Sequence, residues 1–141
     1  MRQLSLFDDP SAELTILMIK VKSAMNQSAV RCGLSRDQIA DRMNEIASKA
    51  GVNLSRGNAK GVKTATLEKW LNPSNKEHLP SLMAVNVFCM VVKSIAPLSA
   101  MLGLHGCGVM TPEDKKLRDY AEAILAERDA RKRKKQLELK L

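Results

Sequence analysis

The segment from Leu82 to Val92 reads Leu-Met-Ala-Val-Asn-Val-Phe-Cys-Met-Val-Val, and only Asn86 interrupts its apolar character. A helix of that composition is apolar on nearly every side and has to be covered all round. Leu79-Pro80-Ser81 supplies a start, and the pattern predicts a central core helix running to about Ile95. It falls short of the roughly 20 apolar residues that a bilayer crossing takes. Its cover must come from other helices, because no stretch shows the period-two alternation of a half-buried strand. Aromatic residues are only 3% of the chain, so Leu, Ile, Val, Met and Ala must fill the core. The expectation is an all-α protein.

The covering helices announce themselves by spacing. Ser11 is the expected cap of a first helix, with Leu14, Leu17, Met18, Val21 and Met25 recurring at helical intervals until Gly33. Ser35 and Gln38 make a capping box for a second helix to about Ala50, burying Ile39, Met43, Ile46 and Ala47, and Gly51 stops it. Three glycines between Gly51 and Lys63 predict a flexible loop. A short helix then ends near Asn72. At about 100° per residue its Leu67, Trp70 and Leu71 share one side, and Ala65, Lys69 and Asn72 the other. A turn over 72–78 leads to the central helix, and a smaller helix is expected from Pro97 to Leu104. Thr111-Pro112-Glu113-Asp114 opens a last helix with a docking stripe of Leu117, Tyr120, Ala121, Ile124 and Leu125. That stripe is too short for a coiled coil and gives way to a basic tail from Arg128 to Lys135. The organisation expected is a leader over 1–10, a helical domain over 11–105, and a C-terminal helix with its tail over 111–141.

The net charge of +8 and a pI of 9.6 suit a polyanionic partner. Arg56, Lys60 and Lys63 put positive charge on the 51–63 loop, which holds no acidic residue. Cys32, Cys89 and Cys107 are odd in number and far apart, unlike a disulfide framework. His105 and Cys107 lack the paired spacing of a zinc site, and no glycine loop has the Lys-Ser/Thr ending that cradles phosphate. Neither a metal, a cofactor nor an enzymatic activity is expected. With Asp8 and Asp9 where a signal peptide would be apolar, a cytoplasmic location is expected, with no membrane partner.

Ser35-Arg36-Asp37-Gln38-Ile39-Ala40 and Thr66-Leu67-Glu68-Lys69-Trp70-Leu71-Asn72 resemble helices two and three of the phage repressor and Cro-like family. Leu79-Pro80-Ser81-Leu82 resembles the opening of its fourth helix, so the resemblance covers roughly residues 12–102. It implies a lambda-repressor-like helix-turn-helix bundle of about five helices, followed by the extra C-terminal helix. The function implied is a DNA-binding transcriptional regulator from a bacterial phage or mobile element, reading double-stranded DNA with the 64–72 helix. Arg36 matches a phosphate-contacting position. Thr64, Ala65 and Lys69 match positions that meet base edges, with Lys63, Asn72 and Lys76 as flanking backbone contacts. Arg56 and Lys60 would form a phosphate-contacting arm. The family joins its two helices by a tight turn, whereas here the 51–62 loop intervenes.

Gln3-Leu4-Ser5-Leu6-Phe7 resembles the peptide by which bacterial replication and repair proteins dock on the sliding clamp. The alternative is that Leu4, Leu6 and Phe7 fold back on their own domain. Two other readings of the chain stand beside the regulator. One is a protein-interaction module recruited to that clamp, the other an antitoxin-like regulator. Relatives of the repressor type bind as homodimers, and the helix from Thr111 or the surface around Leu98 and Met101 are the candidate seams.

Overall fold

The computed structural model describes residues 9–55 and 61–141. Six helices form among them, with no strand: α1 (Pro10–Arg31), α2 (Arg36–Ala50), α3 (Thr64–Leu71), α4 (Leu82–Val92), α5 (Ala96–Gly103) and α6 (Pro112–Glu138). The chain divides into two compact units, residues 1–108 and 109–141.

In the first unit α1 packs against α3 and α5, α2 against α3 and α4, and α4 against α5. Val85 and Phe88 of α4 sit at the centre, with Met25, Ile39, Met43 and Leu67 contributed by the helices around it. Each such side chain contributes about 1.5–3 kcal/mol of burial. The centrality of α4 follows from its composition, with one correction. Leu82 and Met90, expected inside, are exposed at 69% and 63%, because α2 and α5, the helices packed on α4, leave that side open. The helix also stops at Val92 rather than Ile95. Lys93 takes the left-handed conformation (φ 55°) and closes it by donating its N–H to the Cys89 carbonyl.

Other boundaries shift by local chemistry. Asp9, not Ser11, caps α1: its Oδ1 accepts from the Ser11 N–H at 3.0 Å, and Pro10 enters the first turn. Leu14, expected in the buried stripe, is 57% exposed, while Ala12, Glu13, Ile16 and Leu17 are the α1 residues that border α5 there. The Ser35–Gln38 capping box forms, and Gly51 ends α2 with φ 67°.

The ends of the 51–63 loop are built into the body, unlike the wholly flexible loop its glycines predict. Leu54 and Val62 are both buried. Asn44 of α2 bonds both faces of the Val62 peptide. Its Nδ2 donates to the Val62 carbonyl at 2.9 Å, and its Oδ1 accepts from the Val62 N–H at 2.7 Å. Ser55 donates to the Gly61 carbonyl at 3.1 Å and closes the neck. Gly61 is required twice over: its φ is +85°, and a Cβ there would stand 2.6 Å from Asn44 Oδ1.

The second unit consists of α6 and its lead-in. Thr111 and Asp114 form a reciprocal capping box. The stripe expected to dock buries nothing, because none of the helix's residues is buried. No helix among the described residues is long and apolar enough to cross a membrane.

Candidate nucleic-acid interface

The candidate surface is built on α3, whose eight residues are too few to hold a helix by themselves. Tertiary anchors hold it instead. Leu67, Trp70 and Leu71 are buried, so Trp70 is core. The opposite side carries Ala65, Glu68 and Lys69, all exposed, and Asn72 follows it in the open. Lys63 occupies the N-cap position without a capping side chain, and Lys76 is exposed beyond the turn.

The C-terminal end of α3 is held by a residue the sequence reading passed over. Lys22 of α1 is completely buried, and its Nζ donates to the carbonyls of Lys69 at 3.1 Å and Asn72 at 3.5 Å, and to that of Asn75. A cation suits the negative end of a helix dipole, and these carbonyls have no partner within the helix. Burial pulls the Lys22 ammonium below the ordinary lysine pKa. The signal was visible in hindsight: Lys22 shares a helical face with Met18, Met25 and Ala29, where a lysine has to find acceptors.

Arg36 sits at the N-terminus of α2 beside α3. One terminal nitrogen donates to Asn26 Oδ1 at 2.8 Å, Nε lies 3.8 Å from the Glu68 carboxylate, and the buried Nη1 has no partner among the described residues. Arg36, Glu68, Lys69, Asn72 and Asn75 border an open depression between α1, α2 and α3. Thr64 is already engaged, donating to the Asp37 carboxylate. The Asn72 side chain accepts from the Ser74 N–H at 3.0 Å and shapes the turn.

No protein-family model matches the sequence, and no curated protein or solved structure matches it. The site therefore has to be judged on its geometry. Of the residues singled out by sequence, Arg36, Lys63, Thr64, Ala65, Lys69, Asn72 and Lys76 lie on or beside α3, with Arg36 half-buried and Thr64 turned to a carboxylate. Arg56 and Lys60 lie outside the described residues, as do Gln3, Leu4, Ser5, Leu6 and Phe7. Ser55 and Asn44 hold the described residues on either side of Arg56 and Lys60. No group of three potential metal ligands gathers among the described residues. Cys89 is buried, and that burial pushes its thiol pKa up against the opposing hydrogen bond from the Leu98 backbone.

Proposed function

We propose that this protein is a DNA-binding regulator that places α3 in the major groove of duplex DNA. The observation that carries the reading is the division of α3 into an anchored side, Leu67, Trp70 and Leu71, and a free side, Ala65 and Lys69. Ala65 lets the helix backbone approach base edges, and Lys69 donates to guanine acceptors or to phosphate. Lys63 and Lys76 supply charge at the two ends. Arg36, half-buried at the rim of the depression, adds its positive charge to the surface a phosphate would approach. Glu68 opposes an approaching phosphate, but its contact with Arg36 is long, at 3.8 Å, and open to solvent on the Glu68 side, and such pairs cost little to open. The helices are joined by a closed-neck loop rather than a tight turn, so this would be a helix-turn-helix with its turn extended.

Fluorescence anisotropy against duplex DNA over a series of salt concentrations tests the reading. Affinity should fall steeply with salt, each phosphate contact adding about 0.9 to the log–log slope. Lys69→Ala should weaken binding by about 5- to 100-fold, the loss of one direct contact. A salt-independent affinity, or an unchanged one in Lys69→Ala, would remove α3 as the reading element.

A further inference from the structure

The stripe on α6 has a pattern that identifies what covers it. At about 100° per residue, Leu117, Tyr120, Ala121, Ile124 and Leu125 lie on one side of the helix, and all are exposed. The same side begins with the acids Glu113 and Asp114 and ends with Arg128, Lys132 and Lys135. The ion pairs within the helix, Arg118–Glu122 at 3.1 Å, Arg131–Glu127 at 2.7 Å and Lys134–Glu138 at 4.0 Å, run along its flanks. Arg128, next to the apolar stripe, has no acidic residue three or four positions away on the helix. One face therefore reads acidic, apolar, basic from its N-terminal to its C-terminal end.

We infer that α6 is a self-association element that pairs antiparallel with α6 of a second copy of this chain, about a two-fold axis at Ala121. An isologous interface requires a surface complementary to itself under a half-turn. Reversal brings the acidic end of this face onto the basic end, while a parallel pair would set Arg128, Lys132 and Lys135 against their own copies. With the axis at Ala121, Leu117 of one copy faces Leu125 of the other. Asp114 then faces Arg128. The small side chain of Ala121 at the crossing lets the helices approach to the 8–10 Å of ordinary packing. The seam is only about three turns long, so it holds two copies by a short crossing rather than an extended coiled coil. Its dissociation constant belongs in the micromolar range. The inference is independent of what α3 binds.

Sedimentation equilibrium on the full chain, with circular dichroism as a control of folding, tests the seam. The wild type should dimerise in the micromolar range. Ile124→Lys should weaken dimerisation at least ten-fold with an unchanged thermal transition, since no residue of α6 is buried. Orientation is tested by oxidation in a Cys107→Ser background, which removes the exposed thiol. A mixture of the Asp114→Cys and Arg128→Cys chains should cross-link, and neither should cross-link with itself. A chain that stays monomeric, dimerisation indifferent to Ile124→Lys, or self-cross-linking of Asp114→Cys would each overturn the proposal. Monomer would mean that another surface covers the stripe, and self-cross-linking would mean a parallel pair.

Discussion

Lys22 is the residue on which the geometry of α3 turns. Its ammonium ties the Lys69 and Asn72 carbonyls, and through Asn75 the following turn, to a helix almost fifty positions earlier. Lys22→Met keeps most of the volume and removes the donor to the Lys69 and Asn75 carbonyls, while the Asn72 carbonyl keeps the Asn75 N–H. That variant should lose about 2–3 kcal/mol, the worth of charge-assisted hydrogen bonds at a buried site, measured by urea denaturation. A loss below about 0.5 kcal/mol would show that water takes over the capping role. Gly61 constrains the other end of the α2–α3 connection. Gly61→Ala combines a left-handed backbone with a collision against Asn44, and should cost about 1–3 kcal/mol. Because Asn44 would have to release Val62 as well, amide exchange at Val62 should accelerate in that variant.

At the scale of the element, local rules and tertiary demands meet at helix ends. The Ser35 capping box forms where its hydroxyl and acceptor spacing predicts it, and the expected Thr111 cap is completed by Asp114 into a reciprocal box. α4 ends differently, on a lysine in the left-handed region, where glycine is the comfortable residue. Lys93→Gly should therefore raise stability by about 0.5–1 kcal/mol, read as a higher denaturation midpoint with an unchanged slope. α3 is the reverse case. It has eight residues and no capping side chain, so its existence is a consequence of what lies behind it. Trp70, Leu71 and the Lys22 contacts hold it in place. The exposed side chains of Ala65 and Lys69 are not among those anchors and can vary without loss of fold.

At the scale of the molecule, two units differ in what holds them. Residues 1–108 have a buried core around α4, whereas α6 buries no residue. Removal of residues 109–141 should leave the thermal transition of the remainder within about 3 °C, less than the shift one kcal/mol produces in a domain of this size. On DNA the same truncation should lower affinity about equally on all sequences by deleting the basic tail, whose contacts are to phosphate.

The sequence by itself determined that the chain is helical, that the Leu82–Val92 segment is central, and where Ser35, Thr111 and Gly51 begin or end helices. Those features depend on neighbours within a few positions, through periodicity and capping, and a linear reading reaches them. It also picked out the two sides of α3, because an eight-residue helix shows its faces in its spacing. Only the tertiary structure decided which sides of α1 and α4 stay uncovered, leaving Leu14, Leu82 and Met90 in the open. The same holds for the loop ends that Asn44 secures and for Lys22 spending its charge on α3. Those facts rest on contacts between residues eighteen to more than fifty positions apart, and local periodicity does not encode which distant partner a buried polar atom will find.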